Sequence, residues 1–395
     1  MLHRNDGIPP IEGASLGNYG NKGATPGQRA ARAEALRLRE TLWSISSIPD
    51  IRKCGRVPAS HLMRVISGPN GARLVDLCRC HSVWVCPVCA PEIRRARGEE
   101  IGLAVQLHLL DDGGVEFGTA TLPHGAGDRL ADSYSTAAKA WESMVKDGTL
   151  RKFRKAHGYW GFVRTVEVTY GFANGWHPHL HWLDFWDGVL SAEDRAEYRS
   201  LCFGAWSRGV VRQGMGMPSE SRGLVVLPVR DGEVADYVTK LAPMSAAHEL
   251  TSLSTKRAKL SGLTPFDILR KVTDVGGMPW TGLLWEYESA TRGRRMLGAS
   301  HHLLKRLGLS ADDPEPDESG VVVALIGSED WGRLRWSHGG LYGVQGVIEA
   351  AAEAGGSLGV REAMRVLLGG LPELVAGGPV VEQLELGPIE ERDDF

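Results

Sequence analysis

Three histidines stand within five residues at His177-Pro178-His179-Leu180-His181. On an extended strand alternate side chains share a face, so His179 and His181 point the same way and His177 joins them. Imidazoles spaced in this way can share a divalent cation. A third ligand has to come from a neighbouring strand, and Glu167 is the candidate. If the hairpin between them is centred on residue 173, Glu167 lies opposite His179; if it is centred on 174, opposite His181. Either odd-membered turn puts the carboxylate on the histidine face, whereas a centre between residues would put it on the other.

A second group follows at Glu233-Val234-Ala235-Asp236-Tyr237-Val238-Thr239-Lys240. On a helix Glu233, Tyr237 and Lys240 fall on one side, at i−4, i and i+3. A phenol ionises near pH ~10 and needs help to act as a nucleophile at neutral pH. Lys240 could stabilise phenolate or neutralise a phosphate, and Glu233 could serve as a general base in a later step. Spacing alone also fits a packing tyrosine on an amphipathic helix.

Five of the six cysteines cluster toward the N-terminus: Cys54, then Cys78, Cys80, Cys86 and Cys89. Cys86-Pro87-Val88-Cys89 is a CxxC knuckle, and four thiolates suit a closed structural Zn²⁺ site. Spacing leaves open which four bind. Cys202, between Leu201 and Phe203, reads as a core residue.

The elements that must position these groups follow from periodicity. Residues 28–45, 128–146, 189–208 and 233–242 read as helices. Phe117–Leu122 and Val225–Val229 read as strands, as do Trp160–Tyr170 and His177–Phe185 around the turn 171–175. Arg94, Arg95 and Arg97 follow the knuckle as candidate phosphate contacts, and Trp176 and Trp182 are candidates for base stacking. The net charge of −3 is uneven. Residues 311–395 hold 17 acidic and 5 basic side chains, leaving 31 acidic and 40 basic in residues 1–310. A basic body is compatible with a nucleic-acid surface. No apolar run approaches the ~20 residues of a membrane span, and the first residues lack the apolar core of a signal peptide. The expected location is therefore cytoplasmic, where clustered cysteines favour metal over disulfides.

The order of these motifs resembles the HUH endonucleases, and within them the plasmid rolling-circle replication initiators. Thr119-Ala120-Thr121-Leu122-Pro123-His124 matches a first motif. Glu167 to Tyr170 with Asn174 to His181 matches a second, and Glu233 to Lys240 a third. The resemblance spans roughly residues 50–305 and includes Trp285-Glu286-Tyr287-Glu288 and Gly293-Arg294-Arg295. It implies an α+β palm, an antiparallel sheet flanked by helices with the histidines on a central strand. An N-terminal zinc-binding module and a helical C-terminal region accompany it.

The implied site is His179, His181 and Glu167, with His177 as a further candidate, holding Mg²⁺ or Mn²⁺. Tyr237 attacks the scissile phosphate, giving a 5′-phosphotyrosine and a free 3′-hydroxyl. Glu233, four residues before a single tyrosine, matches the subgroup that ends the cycle with water. Leu241 stands where a two-tyrosine enzyme has its second. The family has a cysteine before Gly-Arg, matched by Cys54-Gly55-Arg56, so the implied zinc ligands are Cys54, Cys80, Cys86 and Cys89. Cys78 or His81 is the substitute, and His81 replaces a family glycine. Implied partners are plasmid origin DNA, a host helicase and a DNA polymerase in a bacterial cytoplasm, with no membrane.

The implied organisation is a disordered N-terminus over 1–27, the cysteine module over 28–110 and the endonuclease domain over 111–245. A basic DNA-contact region over 246–310 and an acidic linker and tail over 311–395 complete it. Alternatives are an HUH transposase or relaxase, a metal-dependent phosphoesterase using the histidines without the tyrosine, and a non-catalytic zinc DNA-binding regulator.

Overall fold

The structure is a computed structural model that describes residues 24–68, 71–230, 262–310, 312, 318–337 and 341–369. In chain order the first half comprises helices α1 (Pro26–Ile45) and α2 (Pro49–Lys53), strands β1 (Leu62–Gly68) and β2 (Gly71–Leu74), helix α3 (Cys89–Leu110), strand β3 (Gly114–Thr121), and helices α4 (Leu130–Lys146) and α5 (Gly148–Ala156). Then come β4 (Tyr159–Gly171), β5 (Gly175–Trp186), α6 (Ala192–Arg212) and β6 (Leu224–Pro228). Beyond residue 261 lie α7 (Pro265–Asp274), α8 (Met278–Thr291), β7 (Leu297–Ala299), α9 (His301–Leu307), β8 (Val321–Gly327), α10 (Ser328–Ser337) and α11 (Leu341–Gly369). The class is α+β.

Local chemistry sets several boundaries. Thr25 and Gln28 close a capping box with Pro26 in the first turn of α1, and Thr264 with Asp267 repeats the device at α7. Asp147 accepts from the Thr149 and Leu150 amides, ending α4 and starting α5.

The central sheet has the order β6-β3-β5-β4-β7, and every pairing is antiparallel. The histidine strand β5 is in the middle. Its alternation divides the core in two. Trp176, Leu180, Trp182 and Trp186 face α4 and α6, where Trp141, Met144, Tyr198 and Trp206 are buried. Each buried tryptophan removes about 150–250 Å² from water, a gross stabilisation of roughly 4–6 kcal/mol. A Cβ at Gly118 would drive into the Trp182 ring, so that strand position admits only glycine. Because Trp176 and Trp182 are fully enclosed, they are core residues and not base-stacking surfaces.

The opposite face is covered along only part of its length. Leu183, Phe185, Val163, Phe117 and Val115 pack beneath Ile101 and Val105 of α3 and Leu303 of α9. His177, His179 and His181 continue the same face beyond this cover, since odd-numbered β5 residues share it.

Residues 321–369, expected as part of an acidic tail, instead complete a second unit. β8 pairs antiparallel with β1 in a sheet of order β2-β1-β8. Its core joins Met63, Val65 and Leu74 to Ile326, Trp331, Ile348 and Met364. Arg32 pairs with Glu349 at 3.0 Å and Arg39 donates to Gln345 at 2.7 Å, which ties α11 to α1. The count of acidic residues hid a run of β-branched residues, Val321 to Val323, that needs an apolar partner.

The arginines of α3 serve the fold. Arg94 gives its guanidinium to the Val83 carbonyl at 3.0 and 2.8 Å. Arg97 is buried and reaches Glu100 and the Ser310 and Asp312 carbonyls, and Arg95 pairs with Glu99. In the expected basic region, Arg270 is held by Glu34 and Asp267. Among the described residues, no helix is long and apolar enough to cross a membrane.

Candidate active site and metal centre

The β4–β5 hairpin is centred on residue 173, with Glu167 opposite His179 and Thr165 opposite His181. Glu167 therefore lies on the histidine face. Its Oε2 reaches diagonally to His181 Nε2 at 3.0 Å. From the other side, β3 sets Thr119 opposite His181, and Thr119 Oγ1 lies 3.0 Å from His181 Nδ1. Both ring nitrogens of this buried imidazole are engaged, and Phe117 stacks on it with centroids 5.7 Å apart.

The other imidazoles form a row. His177 and His179 stack nearly parallel with centroids 3.9 Å apart, and His179 lies parallel to His181 at 6.0 Å. His124, from the loop after β3, meets His177 edge-on at 4.1 Å and donates Nδ1–H to the Asn174 carbonyl at 2.9 Å. Burial, aided by neighbouring imidazoles, pushes His177 down to about 4 and His179 down to about 3. Both rings are neutral at physiological pH and keep a lone pair for a ligand. Burial works to raise the Glu167 carboxyl, but the hydrogen bond and charge of His181 hold it below the usual range.

A divalent cation fits one part of this arrangement directly. Two ligand atoms each about 2.1 Å from an octahedral ion and at right angles lie about 3.0 Å apart. That is the separation of Glu167 Oε2 and His181 Nε2. His179 stands one pleat further along and is not drawn to the same point. Tyr237, Glu233 and Lys240 lie outside the described residues.

The cysteine centre is gathered. Cys54, Cys80, Cys86 and Cys89 are, among the described residues, the set of three or more His, Cys, Asp or Glu side chains whose ligand atoms all lie within 4.8 Å of one another. Sulfur separations are 3.7 Å for Cys54–Cys86, 3.5 Å for Cys54–Cys89 and 3.8 Å for Cys80–Cys89. Sulfurs ~2.3 Å from a tetrahedral Zn²⁺ lie ~3.8 Å apart, so these four could hold such a metal. Cys54 ends α2, Cys89 opens α3, and Cys80 and Cys86 bracket the loop between. Cys78 is elsewhere, its Sγ 3.7 Å from the Pro58 carbonyl. His81 is not in the set either; it occupies the left-handed region at φ +48°, the conformation a glycine adopts most readily.

Sequence reasoning passed over Thr119 and His124 as site residues. Both were legible only as members of a weak motif, and the contact of Thr119 with His181 depends on the pairing of β3 with β5, which no local pattern specifies.

Fold and site together define an α+β protein with a histidine–carboxylate face on its central sheet and a four-cysteine centre beside it. The chain is similar to Protein rep of Streptomyces lividans, 29% identical over an alignment of 338 residues that covers 70% of this chain and 74% of that protein. It is also similar to a neomycin resistance protein of Streptomyces cyanogenus, 33% identical over 137 residues covering 28% of this chain and 31% of that one. No family model and no solved structure matches it.

Proposed function

We propose that the chain is a rolling-circle replication initiator that nicks one strand of origin DNA and becomes attached to its 5′ end. The observation that carries this reading is the placement of Glu167 on the face of His177, His179 and His181, at the uncovered end of a central antiparallel strand. The likeness to Protein rep supports the replication role.

Glu167, His181 and His179 would hold Mg²⁺ or Mn²⁺, which when bound supplies Lewis-acid polarisation of a phosphate oxygen. Tyr237 Oη attacks phosphorus, the bond to the 3′ oxygen breaks, and that oxygen leaves as a hydroxyl after taking a proton. The phosphate is then esterified to Tyr237, and the 3′-hydroxyl is free to prime synthesis. Lys240, one turn on, offsets charge on the phenolate or the phosphate. The cysteine centre supplies folding energy and takes no part in the chemistry.

The test is incubation of the protein with single-stranded DNA carrying its origin and Mn²⁺, followed by a denaturing gel. The expected product is a covalent protein–DNA species that is absent in Tyr237→Phe and in His181→Ala. Cleavage that persists in Tyr237→Phe without an adduct would identify a phosphoesterase instead. DNA binding with no cleavage under any divalent cation would leave a non-catalytic regulator.

A further inference from the structure

A cleft of about 420 Å³ separates the loop of the cysteine centre from the turn that leads from α8 into β7. Its size is within the ~300–1,000 Å³ of small-ligand sites. One wall carries Ser82 and Val83, and the other carries Arg292, Arg295 and Met296. Thr165 lies at its inner end, fully buried, and its Oγ1 has no hydrogen-bond partner among the described residues.

The cleft is cationic without matching carboxylates. Arg292 and Arg295 are exposed and make no ion pair among the described residues. Arg294 lies over the Tyr134 ring at 4.4 Å, and Arg94 spends its donors on the Val83 carbonyl. Of the acidic groups nearby, Glu288 is bound to Ser46 and Ser47. Guanidinium groups at a rim over apolar walls suit a phosphate joined to a flat, largely apolar body.

Position identifies the source. Thr165 precedes Glu167 by two residues on β4 and shares its face, so the inner end lies about 6.6–6.8 Å along the strand from the carboxylate. We propose that this cleft receives an unpaired nucleotide of the DNA strand beside the scissile phosphate, with base against Val83 and Met296 and phosphate on Arg292 and Arg295. The assignment to a strand rests on the proposed function; the shared chemistry with a free nucleotide is that of a nucleoside phosphate.

The experiment uses the full zinc-loaded chain and a short fluorescein-labelled oligodeoxythymidylate, with affinity read by anisotropy at several salt concentrations. Arg292→Ala/Arg295→Ala should bind about ten-fold more weakly, with a salt slope smaller by about 1.4, since each lost phosphate contact on a single strand removes ~0.7. Arg95→Ala, which removes a charge paired to Glu99 away from the cleft, should bind like the wild type. Ser82→Trp, filling the cleft from its loop, should also weaken binding while zinc content stays unchanged. Wild-type affinity and slope in the double arginine variant would overturn the proposal. So would displacement of the oligomer by dTMP at equal nucleotide concentration, which would assign the cleft to free nucleotide. An adduct at Tyr237 with no effect of the arginines sinks the cleft alone. Loss of oligomer binding in the variants of a chain that forms no adduct sinks the nicking reading alone.

Discussion

His181 Nε2 lies 3.0 Å from Glu167 Oε2, although the strand register sets Glu167 opposite His179. The carboxylate crosses the hairpin diagonally because Thr119 fixes the His181 ring from the far side, through Nδ1 at 3.0 Å. In this arrangement Nε2–H donates to the carboxylate and the Thr119 hydroxyl donates to Nδ1. A cation at Nε2 requires the other tautomer, with Nδ1–H donating to the Thr119 oxygen. A hydroxyl can do both, because it is donor and acceptor.

Thr119→Val keeps the shape of this side chain and removes both options. We expect Mn²⁺ affinity to fall about 10–100-fold, the range for loss of an outer partner of a metal-bound histidine. Thr119→Ser should keep it. Titration calorimetry with Mn²⁺ measures the difference, and equal affinities for valine and serine would remove Thr119 from the site.

The cysteine centre makes a separate prediction about stoichiometry. Protein purified under reducing conditions should hold about one zinc per chain, lost in Cys86→Ser and kept in Cys78→Ser. Thiol labelling gives an independent reading. Burial pushes the Cys202 thiol up to about 12, so it stays unreactive in the folded protein. With metal bound, Cys78 should be the one fast thiol, and chelation should expose the four ligands as well. Fast labelling of Cys86 in zinc-loaded protein would contradict the assignment.

The hairpin was legible because its alternation has a period of two and its turn is rich in Gly and Asn, and these fix the face of Glu167 once the turn is odd. The cysteine cluster was legible from spacing, yet spacing could not choose Cys54 over Cys78. Two bonded strands of chain separate them in space: Gly55 N donates to the Cys78 carbonyl at 2.7 Å, which turns the two thiols apart. Burial was the least legible quantity. Trp176 and Trp182 stand beside histidines in sequence, but the strand period sends them to the opposite face. Likewise Arg94 and Arg97 read as surface charge until their helix is seen pressed against the loop and the 310–312 backbone. The β1–β8 pairing joins residues more than 250 positions apart, so no local signal could reveal it.

Acid sensitivity should report on His108, at the covered end of the same sheet face. Its Nε2–H donates to the Trp186 carbonyl at 3.0 Å, and Trp160 and Phe185 pack on its ring. Burial holds its imidazole below the ordinary value. The unfolded chain then binds the proton more readily, so stability is full above pH ~6.5 and is lost as pH falls toward the folded value. In urea titrations His108→Gln, which keeps a donor without titrating, should lose less stability between pH 7.5 and 5.5. The difference is bounded by about 1.4 kcal/mol per pH unit for one proton. Parallel losses in both proteins would assign the acid limb to other groups.

The last prediction separates the two acts assigned to the tyrosine helix. Tyr237 makes a lasting ester with phosphate, so a second Tyr237-type attack at the end of a round would leave the enzyme trapped on DNA. Glu233, one helical turn earlier, can take a proton from water, and a carboxylate–phosphate anhydride would not persist. Hydrolysis by water releases the enzyme. Glu233→Ala should therefore still nick and still form the adduct, because neither step needs the carboxylate. It should fail to stop after one round and give multimeric single strands in a replication assay. Glu233→Asp, which keeps the base but shortens its reach, should terminate slowly and give a mixture of unit and multimeric lengths. If Glu233→Ala yields unit-length circles at the wild-type rate, Glu233 is a surface residue of its helix and another base on the histidine face, with His124 and Glu167 the nearest to hand, must activate the water.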